Sequence, residues 1–502
     1  MPLLKFVGQY AKLDQTSLSS VEAVNYYTEF YPVTGTKTDV AIQRTPGAID
    51  WVEVSSLDTE TGRGLYISSK GPAPDFAPRQ YGVWGTKVYR MSRDNTKAWL
   101  LGEVSSNTPV AGMADNGFEF VIVDGTAMYS CPLDHVDGLG ALTQVTLPNV
   151  PDSTISIQPT HVAFLKQRLW INGGNTDYFW YSELASTEFI QDSVYKAESS
   201  ADNILSLVEN NNTLWIHGFR SFEQWRGSDN QDDPLDPVGG SQSQLGVKGR
   251  YTTATSNNMV FWLGASDTGS DAIFMGSNAT VTRISDPAIE ETIDKIGNTE
   301  LAIGYAYSTR GNTFYVITFE SAGLTLVYNT TTKLWHRASK RNLPNGKWQA
   351  WPYAFARQVG DSVYAQLLFG GSRLVKLDND HPYEWDGEAI VRKYVTQPLW
   401  DNYDNMILTQ VTLDMETGAT DILDPAIFGS DPQMTVEVSF DGGHSYGNLK
   451  PTPLGKQGRY RTKVSWHTKG KGRSIVLRFR CSAPVKHAIY GGRVDYTKCS
   501  RT

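Results

Sequence analysis

The chain has 502 residues, a formal net charge of −8, 12% aromatic residues and 45 glycines. That acidic balance argues against a general nucleic-acid-binding protein, while leaving room for a local basic face. Cys131, Cys481 and Cys499 are too few and too scattered for a disulfide framework or a CxxC metal site, which fits a reducing compartment. The opening MPLLKF is too short for a signal peptide and no run of about 18 apolar residues occurs, so the reading is a soluble chain.

Residues 1–38 lack a strand-and-turn rhythm and read as an N-terminal arm. Ser19 and Glu22 stand at capping-box spacing before Ala23 and Val24, which allows a short helix. Tyr26, Tyr27, Phe30 and Tyr31 suit an extended arm equally well. An arm packed on a neighbouring copy is the preferred reading, and a tail folded on its own domain is the alternative.

From residue 39 to 380, strand pairs recur roughly every 40–50 residues around Asn-, Asp- and Gly-rich turns, the spacing of a radial repeat. Turns fall at Gly85-Thr86, Asp124-Gly125, Gly173-Gly174-Asn175, Asn210-Asn211-Asn212, Asp267 to Ser270 and Gly370-Gly371. The clearest unit is Ile303 to Ser339, four short strands in a meander. Its second strand alternates Tyr315, Ile317 and Phe319 against Phe314 and Val316, so both faces are apolar and both need cover. A meander covered on each side by sheets like itself is a β-propeller blade. The fold expected is therefore all-β, a propeller with six blades preferred and seven possible, depending on whether the first and last units share a blade. Residues 228–246 break the rhythm and read as a projecting, solvated loop. Asp229, Asp232, Asp233 and Asp236 could gather a hard cation there, but the EF-hand spacing is missing.

Residues 381–502 read as a separate C-terminal β domain of sandwich type. Met406 to Asp414, Thr435 to Phe440, Arg459 to Trp466 and Ser474 to Cys481 are its expected strands. Val436, Val438 and Phe440 share one face, as do Tyr460, Thr462, Val464 and Trp466, and Ile475, Leu477, Phe479 and Cys481. Cys481 then reads as a buried small hydrophobe. The opposite faces carry Arg459, Arg461 and Lys463, and Arg478 and Arg480, a candidate docking face. It could meet an acidic protein or DNA phosphate, or simply be solvated.

Ser439, Asp441, Gly443, Ser445 and Tyr446 match an Asp-box-like turn, Ser-x-Asp-x-Gly-x-Ser followed by an aromatic. In such a hairpin the Asp bonds nearby backbone N–H groups, a glycine takes a positive φ and the aromatic anchors the turn in the core. Sialidases carry Asp boxes on propellers, but the paired carboxyls or the Tyr nucleophile with converging arginines that a glycosidase needs cannot be assembled here. No HExxH, GxSxG, Walker or Rossmann pattern occurs. No catalytic, cofactor-binding or metal-binding residue is assigned, and a carbohydrate-binding or sialidase-like propeller is kept as the alternative.

LTLVYNTTTKLWHRAS (Leu324 to Ser339) and VSFDGGHSYGNLKPTPLGKQGRYRTKVSW (Val438 to Trp466) resemble the tail hub or nozzle proteins of short-tailed phages, the packaged-DNA stabilisation family. QPLWDNYDNMILTQVTLDMETG, SAPVKHAIYGG and, near the start, TPGAIDWVEV with RGLYISS are similar to the same family. The resemblance implies a homohexameric tube in the virion tail, assembled in the host cytoplasm. It would lie beneath a tail adaptor protein, with tail fibres, spikes or a tail needle attached and the host envelope met at the distal end. Genomic DNA would be retained and then pass through the lumen without sequence-specific binding. The acidic 228–246 stretch and the first forty residues depart from the family pattern.

Overall fold

The computed structural model describes the whole chain except residues 1–2, 5–8, 17, 32–38, 55–59, 70–77, 93–96, 107, 135–140, 198–201, 266–270, 279, 369–370, 403, 419–430 and 500–502. The expected turn at Asp267 to Ser270 and the Gly370 half of the Gly370-Gly371 turn therefore lie outside the described residues.

Seven four-stranded antiparallel units follow one another along the chain. Their inner strands are Gly62–Ile67, Gly112–Asp115, Val162–Leu165, Ile204–Asn210, Ala254–Ser256, Ile303–Thr309 and Tyr353–Val359. Each packs against the next, and Tyr353–Val359 packs back against Gly62–Ile67, so the ring is closed. The outer strand of the last blade comes from the start of the ring. Gly47–Glu53 pairs antiparallel with Arg373–Asp378. The two ends thus share a blade, and the preference for six gives way to seven among the described residues.

Why the ring holds is clearest in the sixth blade. All eight residues of Asn312–Phe319 are buried. Phe314 and Val316 enter the core shared with the seventh blade, while Tyr315, Ile317 and Phe319 enter the core shared with the fifth. A strand alternating between two apolar faces is stable only between two other sheets. Buried tryptophans Trp84, Trp170, Trp180, Trp215 and Trp262 fill the spaces between other blades.

The 228–246 stretch is not wholly a projecting loop. Leu235–Pro237 is the outer strand of the fourth blade, paired with Phe222–Gly227, and Leu235 is 1% exposed. Its one apolar side chain among acidic neighbours is what docks it. The single α-helix among the described residues, Pro287–Asp294, begins where the Asp286 side chain accepts from the Ile289 N–H at 2.9 Å.

The C-terminal domain is a sandwich. One sheet runs Val464–Gly472, Asn405–Met415, Ile489–Cys499, Val40–Arg44, Tyr26–Phe30; the other includes Ser20–Val24, Arg392–Val395, Val476–Cys481, Gln433–Ser439 and Lys450–Pro453. Val411, Val436, Trp466, Leu477, Phe479 and Cys481 lie in its core. The strand expected from Arg459 begins only at Val464; residues 459–462 form a turn and Tyr460 is 70% exposed. Gly455 and Gly458, at φ +90° and +81°, turn the chain just ahead of Arg459, and the Thr462 N–H then closes a turn onto the Arg459 carbonyl at 3.3 Å.

The opening residues differ most from expectation. No helix forms at Ser19 to Glu22; Ser20–Val24 is a fully buried strand. It pairs antiparallel with Arg392–Val395 in the sandwich and meets Arg337 of the sixth blade at Val24. Tyr26 enters the sandwich core and Tyr27 the propeller core, 5.4 Å from the Phe314 ring. The described part of the segment packs within its own chain, and Ser20–Val24 makes one continuous sheet of blade six and half the sandwich.

Candidate functional site

The joint between propeller and sandwich is organised by Asn25, which is 1% exposed and sits at φ +57°. Its side-chain amide donates to the carbonyls of Ser339 (2.7 Å) and Val391 (2.8 Å) and accepts from the Ser339 N–H (2.9 Å). Asparagine tolerates the left-handed region better than other residues bearing a Cβ, and here its short amide satisfies three buried backbone groups at once. Beside it, Glu22 is held between Lys393 and Lys12, the latter at 3.1 Å. Burial alone would raise the Glu22 pKa, but the two lysines keep it below the usual carboxylate range.

The Asp-box-like turn forms as its residue types dictate. Ser439 Oγ donates to Asp441 at 2.6 Å and accepts from the Gly443 N–H at 2.8 Å. Asp441 accepts from the Ser445 N–H at 2.9 and 3.0 Å and from the Ser445 hydroxyl, and Gly443 takes φ +99°. Burial pushes the Asp441 pKa up, but the donors from Ser439 and Ser445 outweigh it and hold the carboxyl well below its ordinary value. With both oxygens used by the turn, this carboxylate is a staple. Tyr446 departs from the expected anchor in the core. It is half-buried on the outer face, with the Arg478 guanidinium 3.7 Å above its ring.

The five basic residues do not form one face. Arg478 and Arg480 stand on the outer side of one sheet and share Glu437, which accepts from Arg478 at 2.8 and 2.7 Å and lies 3.4 Å from Arg480. Arg459, Arg461 and Lys463 lie exposed where the chain crosses to the other sheet. Residue alternation describes Arg478 and Arg480, which stand on a strand, but not Arg459 and Arg461, which stand on a turn, and it could not reveal the nonlocal Glu437 beside the strand pair. The acidic run is likewise dispersed: Asp229 pairs with Lys166 at 2.7 Å and Asp233 accepts from Tyr195. Among the described residues no three His, Cys, Asp or Glu side chains gather to hold a metal ion. Cys131 and Cys481 are buried, with the thiol pKa of each pushed up by burial.

Residues 72–370 match the family model described as Bacteriophage P22 Gp10, beta-propeller, and residues 392–497 match Bacteriophage P22 Gp10, beta-sandwich. The chain belongs to the bacteriophage P22 Gp10 family. It is a structural protein of the virion tail, and the two matches fall within the propeller ring and the sandwich, each of which also takes strands from outside its matched span. No curated protein matches the chain. Among solved structures, the extracellular domain of the one component system BT4673 of B. thetaiotaomicron aligns at 9% identity and TM-score 0.38, over 66% of this chain and 40% of that one. The chain thus spans about two fifths of that protein. An exo-beta-1,3-galactanase of Phanerochaete chrysosporium aligns at 11% identity and TM-score 0.30, over 81% and 98%. Among the described residues no helix is long and apolar enough to cross a membrane.

Proposed function

We propose that this Gp10-family chain is one of six copies that form a tube at the distal end of the tail, retaining packaged DNA and conducting it outward at infection. The observation that carries the reading is the continuous sheet from blade six through Ser20–Val24 into the sandwich. It fuses two units into one stiff element suited to a load-bearing wall. Closed rings of identical subunits use two different patches per copy, and a rigid body keeps those patches in register. A wall with net charge −8 repels phosphate and lets DNA slide, where a basic lining would grip it in a salt-sensitive way.

Arg459, Arg461 and Lys463, exposed and outside the Glu437 cluster, are the residues proposed to dock on an acidic surface of the tail adaptor; fibres, spikes or a needle attach elsewhere. Electron microscopy of the purified protein mixed with adaptor rings tests both ideas. The expected image is a six-fold tube, lost when Arg459 and Arg461 are reversed to Glu. A monomer that never associates refutes the tube. Tails that still assemble from the reversed variant, with only DNA retention altered, refute the docking role.

A further inference from the structure

The seven inner strands enclose an axial cavity of about 670 Å³, within the size range of small-molecule sites. Among the described residues the edge of each inner strand that faces the axis has no paired strand, so backbone N–H and C=O groups ring the cavity. Into this ring the seventh blade sends a charge by a special device. Pairing between Tyr353–Val359 and Ser362–Leu367 slips by one residue between Ala354 and Arg357, and Phe355 there takes φ +50°, a conformation disfavoured for an aromatic residue. A β-bulge of this kind re-aims the side chain that follows it.

The side chain re-aimed is Arg357, which lines the cavity. Among the described residues its hydrogen-bond acceptor is the Ala356 carbonyl at 3.2 Å, and no carboxylate pairs with it. Tyr66, close enough to feel its charge, donates instead to Asp115 at 2.8 Å. Asp115 is already occupied by the Ser69 N–H and hydroxyl and by the Gly117 N–H. Glu209 also lines the cavity and accepts from the Asn212 N–H at 2.9 Å. Thr255 and Ser308 also line the wall, the Ser308 hydroxyl 3.0 Å from that of Thr313.

We propose that this cavity binds a small monocarboxylate with a hydroxylated body, of the hexuronate class, its carboxylate forked by Arg357. A planar guanidinium with free donors matches a carboxylate in bidentate geometry. Asp115 and Glu209 line the same cavity, and their negative charge weighs more heavily against a dianion such as phosphate than against a monoanion. The hydroxyls and unpaired strand edges match a polyol body. This site is independent of the tube assembly proposed above.

Titration calorimetry of the full chain with galacturonate, and in parallel with galactose and with inorganic phosphate, tests it. One galacturonate per chain is expected, with galactose and phosphate each at least tenfold weaker. Arg357→Gln is expected to lose at least tenfold and Arg357→Lys to lose less, with both variants melting no lower than the parent. Absence of galacturonate binding, equal binding by Arg357→Gln, or galactose or phosphate binding as tightly as galacturonate overturns the proposal.

Discussion

Replacing Asn25 separates two contributions at the joint between propeller and sandwich. Asn25→Gly keeps the φ of +57° accessible but removes three buried side-chain hydrogen bonds, to the Ser339 and Val391 carbonyls and from the Ser339 N–H. At roughly 0.5–1.5 kcal/mol net per bond, the loss is about 2–4 kcal/mol. Asn25→Ala loses the same bonds and adds about 1–2 kcal/mol for forcing a Cβ into the left-handed region. Asn25→Asp still accepts from Ser339 N–H, yet turns its second oxygen toward two carbonyls that had received a donor, so it should be at least as damaging as Ala. Urea unfolding followed by tryptophan fluorescence gives the order, and limited proteolysis should find the joint between residues 25 and 45 cut first in the Asp variant. If the Gly variant unfolds like the parent, or the Asp variant is tolerated, the joint does not depend on this amide.

Closure of the ring predicts that Gly47→Val is severe, because a Cβ there would lie 2.4 Å from the His381 carbonyl oxygen and 2.6 Å from that of Tyr383; Gly239→Ala, with open space around it, should leave the urea midpoint unchanged. His217 is fully buried against Trp262 at 4.9 Å with neither ring nitrogen bonded among the described residues, and burial pushes its pKa down to about 3. Its unfolded form takes up a proton near pH 6.5 while the folded form does not, so stability falls as pH drops below about 6.5, by about 2 kcal/mol at pH 5 from this residue alone; His217→Leu should remove that share of the difference in urea stability between pH 7 and pH 5, and an unchanged difference refutes it. Asp441→Ala should cost about 1–2 kcal/mol and speed amide exchange at Gly443 and Ser445, whose N–H groups the turn holds. Because the folded Asp441 pKa lies below its ordinary value, its contribution is present above about pH 4 and fades as the pH falls toward the folded value; exchange that is insensitive to the substitution would count against the staple.

What could be read from the sequence was whatever is decided within one blade or one turn. Asn312–Phe319 announces a strand covered on both faces because its own ten or so neighbours carry the pattern, and Ser439 to Ser445 folds on donors and acceptors four residues apart. The partner of Gly47–Glu53, and those of Ser20–Val24 other than the short local pairing with Ala11–Lys12, lie more than 300 residues away, and nothing local distinguishes a strand that closes a ring from one that merely starts it. The Ser19–Glu22 spacing that suits a helix cap is equally consistent with a strand whose glutamate meets Lys393. Tertiary pairing decided between them.

The same division explains the basic residues. Outward direction follows from alternation, which is local, but whether an outward arginine is free follows from a partner on another strand. Glu437 faces Arg478 across adjacent strands, where opposite charges stabilise a sheet, so Arg478 and Arg480 belong to the internal economy of the sandwich. Arg459 and Arg461, carried on a turn preceded by Gly455 and Gly458, have no carboxylate partner among the described residues. A charge left over after the fold has satisfied its own pairs is the one available to another subunit, which is why the docking role is proposed for the turn rather than for the strand.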